Sequence, residues 1–106
     1  MKKIILSVET FQKIDRIVEY VSAEFGSKKA NEAKSLIKRR IRSLRSFPYQ
    51  RESISDMYGY DTIYRKLYVP PNNIIYYVDE EKIEIVNIYN DSEDYLTKLF
   101  GSQKDF

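Results

Sequence analysis

The side chains able to do acid–base or electrostatic chemistry are unevenly supplied in this sequence. The 106-residue chain has no histidine and no cysteine. This removes at once the usual neutral-pH proton carrier, the thiolate nucleophile, disulfides and Cys/His zinc sites. Any proton-transfer role falls to a tyrosine, a lysine or a carboxylate moved by its surroundings, and bringing a tyrosine or lysine from about 10 to about 7 requires roughly 4 kcal/mol of differential interaction. Cations are concentrated instead. Between residues 28 and 51, Lys28, Lys29, Lys34, Lys38, Arg39, Arg40, Arg42, Arg45 and Arg51 stand against the single acid Glu32, whereas the chain from Glu52 onward is rich in acids. Two readings of this run are open. It is a solvated helix face whose field the acidic half offsets, or a surface for an anionic partner, with Lys34, Lys38, Arg39, Arg42 and Arg45 as the partner-binding residues. No Gly-rich phosphate loop is present, and no cofactor or metal is expected.

The elements that must position these groups are organised around Asp61 to Tyr89. Thr62 to Val69 is rich in Ile, Tyr, Leu and Val, and Pro70-Pro71 with Asn72-Asn73 stops it. Ile74 to Asp79 and Lys82 to Tyr89 follow, separated by Glu80-Glu81, so the segment predicts an antiparallel meander of three strands. Alternation puts Ile63, Arg65, Leu67 and Val69 on one side, leaving Arg65 as an arginine in an apolar row; an acid such as Glu84 across the sheet would pair it. On the last strand Ile83 and Ile85 point one way and Val86 and Ile88 the other, which predicts a bulge after Ile85 or cover on both faces, the bulge being preferred. Tyr64, Tyr68, Tyr76, Tyr77 and Tyr89 are ordinary strand residues or, alternatively, stacking platforms for bases.

Upstream, Lys2 to Val8 suits a strand joining the meander. Phe11, Ile14, Val18, Val21 and Phe25 then recur at helical spacing, with Ser7 or Thr10 as the cap and Gly26 as the stop. Ser27 is placed to cap a second helix whose stripe is Ala30, Ala33, Leu36, Ile37, Ile41, Leu44 and Phe47, ended by Pro48. Tyr49 to Tyr60 reads as a loop with room for a short strand. The tail predicts a short helix through Tyr95, Leu96, Leu99 and Phe100, capped by Ser92. The expected fold is α+β: a small, mostly antiparallel four-stranded sheet in the order β-α-α-β-β-β, with a two-helix hairpin on one face and a short C-terminal helix. One domain over 1–106 is expected, with no membrane span, in the cytoplasm.

That order, together with Ile17 to Val21, the Leu44 to Pro48 stretch, the YRKL of Tyr64 to Leu67 and the phrase IIYYVDEEKIEIV, resembles the RelE/ParE superfamily of bacterial toxins from type II toxin-antitoxin systems. The resemblance implies a cognate antitoxin as partner. It also implies a growth-inhibiting target: DNA gyrase for the ParE branch, which is the reading preferred here, or the ribosome and mRNA for the nuclease branch; a member retaining only antitoxin binding is the third possibility. In the nuclease branch a His or Arg near the end of the fourth strand takes part in RNA cleavage. Here Asn90, Asp91, Ser92 and Glu93 occupy that segment, and the common arginine of the third strand falls among Asn73, Ile74 and Ile75. Of the recurrent polar positions, Arg65, Tyr77 and Tyr95 have counterparts. The resemblance therefore gives Arg65, Tyr77, Asn90, Glu93 and Tyr95 as the catalytic candidates if the chain is a nuclease, with Glu93 or Asp94 as base. Ser92 and Glu93 place negative charge where a phosphorane would need positive charge, which argues against efficient cleavage.

Overall fold

A computed structural model of the chain describes residues 2–101. Strand β1 (Lys3–Leu6) leads into helix α1 (Val8–Phe25), helix α2 (Ser27–Arg42) and a 3-10 turn (Ser43–Arg45). A two-residue strand β2 (Glu52–Ser53) and a short helix α3 (Ile54–Tyr58) follow, then the meander β3 (Arg65–Val69), β4 (Asn72–Val78) and β5 (Lys82–Asn90), and last α4 (Tyr95–Phe100). The sheet runs β1-β5-β4-β3-β2, with β1 parallel to β5 and every other pair antiparallel. It has five strands where four are expected, because β2 adds Glu52 and Ser53 opposite Lys66 and Arg65 within the segment read as a loop. The class and the helix hairpin agree with expectation. Among the described residues no helix is long and apolar enough to cross a membrane.

Both outcomes weighed for the last strand occur together. Ile75 pairs with Asn87 but Tyr76 pairs with Ile85, so Val86 is the extra residue of a bulge. Ile83, Ile85 and Ile88 therefore all face the hairpin, where they join Ile37, Ile41, Leu44, Leu67, Val69, Ile74 and Tyr76 in the main core. Val86 turns to the opposite face and packs with Ile54, Ile75, Tyr89 and the apolar side of α4 in a second core. The tail helix and α3 are thus the cover for the second face, a role their short lengths hide in the sequence.

The helix ends are set by local chemistry. Ser7, not Thr10, caps α1: its Oγ accepts from Thr10 N at 3.1 Å. Gly26 sits between the helices at φ 92°, a conformation that would strain a side chain, and is itself the N-cap of α2, so Ser27 falls one position inside the helix. Asp94, not Ser92, caps α4, accepting from Thr97 N at 3.2 Å. Asn72 and Asn73 do not lie in the turn; they are buried in β4, where Asn73 Nδ2 donates to Asp91 Oδ1 at 2.9 Å. No residue of the α1 stripe is fully buried: Ile14 and Ile17 pack half-buried against the main core, and Val18 and Val21 are half-buried outside it. Phe11, Phe25 and Phe47 are exposed, because the hairpin overhangs the narrow sheet and only its central turns are backed by strands.

The main core makes two predictions. Leu44 is fully buried between hairpin and sheet, whereas Lys38 is exposed. Leu44→Ala should cost about 2 to 5 kcal/mol and Lys38→Ala less than about 0.5 kcal/mol; equal losses in chemical denaturation would contradict these faces. Burial pushes the Tyr76 hydroxyl up to about 12. A folded value above the unfolded one favours the protonated form, so this contribution is complete below about pH 10 and disappears as pH rises through the folded value. The unfolding free energy should fall across that window, and the fall should be shallower in Tyr76→Phe.

Candidate functional site

The five catalytic candidates do not converge. Arg65 opens β3 on the hairpin face, where its Nη1 donates to the carbonyls of Tyr49 at 3.2 Å and Arg51 at 2.9 Å. Glu84 cannot pair with it, since Glu84 stands opposite Tyr77 on the other face of the sheet. Tyr77 lies on that other face too, stacked 6.3 Å from Tyr64 with the Lys82 ammonium 5.7 Å above its ring. Asn90 pairs with Asn72 at the opposite end of β4 from Tyr77, and Glu93 lies just beyond that pair. Tyr95 returns over the second core, stacked 6.3 Å from Tyr89, its hydroxyl donating to Tyr58 Oη at 3.3 Å.

Asp91, Glu93 and Asp94, the described carboxylates after β5, are each committed to holding the chain. Asn90 N donates to Glu93 Oε2 at 2.8 Å and Lys98 Nζ to Glu93 Oε1 at 2.7 Å, and the Lys98 bond holds Glu93 below the usual carboxylate range. Asp91 is lowered by the hydroxyl of Tyr68, then by Asn73; Asp94 is lowered by its caps to Thr97. The tyrosines move the other way. Burial raises Tyr76, Tyr89 and Tyr95, and the hydrogen bond to Asp91 raises Tyr68. The Lys82 ammonium is raised by its bond to Asp79, which is itself lowered to about 2. Each of these shifts carries its group away from neutrality, the reverse of what proton transfer near pH 7 requires.

The cations of α2 do assemble a surface. Lys34, Lys38, Arg42 and Arg45 line one side of a cleft of about 310 Å³ whose apolar lining is Ile4 and Leu6 from β1, Phe11 and Ile14 from α1, and Ile37 and Ile41 from α2. Helical spacing puts residues 34, 38 and 42 on one stripe, and the 3-10 turn brings Arg45 beside them. Among the described residues Asp15 is the only acid lining the cleft. None of the four cations forms a salt bridge with a described residue. Arg39 is not part of this cleft: it borders an open depression with Ser27, Lys28 and Glu32. β1 is the sheet's edge, so the cleft lies beside a strand with one side unpaired.

A second cleft, not anticipated from the sequence, lies on the other flank of the hairpin. It measures about 540 Å³ and is lined by Ile17, Tyr20, Val21 and Phe25 of α1, Ala33 and Leu36 of α2, and the Pro70-Pro71 turn. The available signal was the surplus of apolar positions on α1: a helix carrying Val8, Phe11, Ile14, Ile17, Val18, Tyr20, Val21 and Phe25 has more than one sheet face can bury.

Comparison with known proteins agrees with this architecture. No curated protein matches the chain. A solved structure described as "Chromosomal ParDE TA system from P. aeruginosa" superposes with a TM-score of 0.71 at 20% identity, covering 85% of this chain and 96% of that one, which establishes a shared fold. Residues 4–95 match the family described as the ParE toxin of type II toxin-antitoxin system, parDE, a span running from β1 through the first residue of α4. This chain belongs to the ParE toxin family of type II toxin-antitoxin systems.

Proposed function

We propose that this protein, a single domain over 1–106 acting in the cytoplasm, arrests growth by binding DNA gyrase and is neutralised by a cognate antitoxin seated in the basic cleft. The observation that carries the antitoxin reading is the pairing of an apolar lining with four cations that form no salt bridge with a described residue, Lys34, Lys38, Arg42 and Arg45. An acidic amphipathic segment meets both requirements: its apolar face covers Ile37 and Ile41, and its carboxylates meet the rim. Arg39, further round α2, extends the same field. The related ParDE assembly supports an antitoxin as the partner class. Gyrase is favoured over mRNA because Arg65, Tyr77, Asn90, Glu93 and Tyr95 are dispersed over two faces and two ends of the sheet, and the carboxylates and tyrosines with shifted acidity are tuned away from neutral pH.

Two measurements test this. The product of the adjacent gene should co-purify with the protein, and Lys38→Glu with Arg42→Glu should weaken the complex about tenfold or more while flattening its salt dependence; an unchanged affinity would remove the cleft from the interface. The protein should inhibit gyrase supercoiling and leave a translated message intact by primer extension. A missing transition-state donor alone costs about a hundredfold to a thousandfold in rate, so strong codon-phased cleavage lost in Arg65→Ala or Tyr95→Phe would overturn the gyrase reading.

A further inference from the structure

The segment between the 3-10 turn and β2 crosses from the hairpin to the sheet and is held from beneath by the core. Tyr76 Oη donates to Pro48 O at 2.7 Å, and Arg65 Nη1 holds the carbonyls of Tyr49 and Arg51. Arg51 turns its own side chain back to the hairpin, where Nη2 donates to Ser43 Oγ at 3.4 Å. Arg65 stands opposite Tyr76 across the β3–β4 pair, and the guanidinium groups of Arg51 and Arg65 both act electrostatically on the Tyr76 hydroxyl. Neither has a carboxylate partner among the described residues. The nearest acid in sequence, Glu52, is drawn instead to Lys66 at 3.4 Å.

The pair is short of acceptors as well as of counter-charge. Arg51 Nε is buried with no acceptor among the described residues. Among the described residues only the Nη1 donors of Arg65 have acceptors, so its Nε and Nη2 are left for a ligand. A half-buried cation that has lost water and gained only one long hydrogen bond is costly unless an anion joins it. A planar fork with spare N–H groups matches the oxygens of a phosphate, to which it can donate two parallel bonds. Beside the fork, Tyr49 keeps its ring 5.3 Å from the Arg65 guanidinium and is 60% exposed, and Phe47 is 48% exposed. An exposed ring beside a pair of arginines suits a base carried by a phosphate that they bind.

We propose that Arg51 and Arg65 form a binding site for the phosphate group of a nucleotide, with Tyr49 stacking on the attached base. The group comes from a free mononucleotide or from a single nucleic-acid strand. The site shares no residue with the basic cleft and does not depend on what fills it.

The test is an NMR titration of the folded protein with inorganic phosphate, adenosine 5′-monophosphate and a short single-stranded oligonucleotide, following the arginine Nε–Hε signals. Saturable shifts of the Arg51 and Arg65 signals are expected with all three. Arg51→Gln should weaken binding about tenfold or more, as loss of a charge-assisted hydrogen bond predicts, and Arg51→Lys should restore only part of it because it lacks the fork. These variants leave the Arg65 bonds to the loop in place, and unchanged backbone spectra would confirm the fold. Tyr49→Ala should spare inorganic phosphate and weaken the nucleotide. An oligonucleotide that binds more tightly than the mononucleotide identifies a strand as the source, and equal affinities identify a free nucleotide. Absence of saturable shifts at Arg51 and Arg65, or an unchanged affinity in Arg51→Gln, would overturn the proposal.

Discussion

The contact on which the fold depends is the docking of the α1 N-terminus on the bulge of β5. Inserting Val86 turns the strand and leaves the carbonyls of Ile85 and Val86 where β1, ending at Leu6, no longer supplies a regular ladder. The next residues of the chain satisfy them. Ser7 N donates to Ile85 O at 3.0 Å, Ser7 Oγ to Val86 O at 2.8 Å, and the buried Thr10 Oγ1 to Ile85 O at 3.3 Å. Ser7 also accepts from Thr10 N, so one hydroxyl caps the helix and closes the bulge together. Buried backbone groups left without partners would each cost on the order of 1 to 3 kcal/mol. The helix start and the sheet irregularity are therefore one feature, and it fixes the angle at which the hairpin leaves the sheet.

Two cores follow from that bulge. With a regular β5, Ile85 and Ile88 would face opposite sides, and the hairpin would lose one of them. With the extra residue they share the hairpin face, while Val86 and Tyr89 supply the second face that α3 and α4 cover. The second core is built largely from aromatic rings in stacked or tilted pairs, Tyr60 with Phe100 at 4.4 Å and Tyr64 with Phe100 at 6.2 Å. Lys13 lies 4.2 Å from the Tyr89 ring and Lys66 5.7 Å from the Tyr95 ring, so cations close this layer at its rim. Of the tyrosines that could have stacked on bases, Tyr64 and Tyr89 are in this way used to hold α4.

The same economy separates the two kinds of charge. Acids are consumed in turns and caps: Asp79 receives the backbone N–H groups of Glu81 and Lys82 at 2.8 Å each, and Asp91, Glu93 and Asp94 organise the exit from β5. The α2 cations that line the cleft form no salt bridge with the described residues. A surface whose positive charge is not neutralised internally steers acidic partners, and it coincides here with the apolar gap between β1 and the hairpin.

Period and punctuation alone marked the larger elements: the helical spacing from Phe11 to Phe25, the Gly26 break, the β-branched runs of the meander and the conflict of faces after Ile85 are local signals, and each marks a real feature, whereas the second helix, read as running to Pro48, ends at Arg42 and tightens into the 3-10 turn. The concentration of cations between Lys28 and Arg51 was equally legible, since charge is counted along the chain. What sequence could not decide was which side chains meet. The exposure of Phe11, Phe25 and Phe47 depends on the hairpin overhanging the sheet, and the grouping of Lys34, Lys38, Arg42 and Arg45 without Arg39 depends on where β1 lies against α2. α3 and the two residues of β2 have too little length for a periodic signal, so their place follows from the edge of β3 and the open second face. Arg65 shows the limit most clearly: alternation put it in an apolar row, but its partners, the carbonyls of Tyr49 and Arg51, are brought to it only when the loop from the hairpin folds across the sheet.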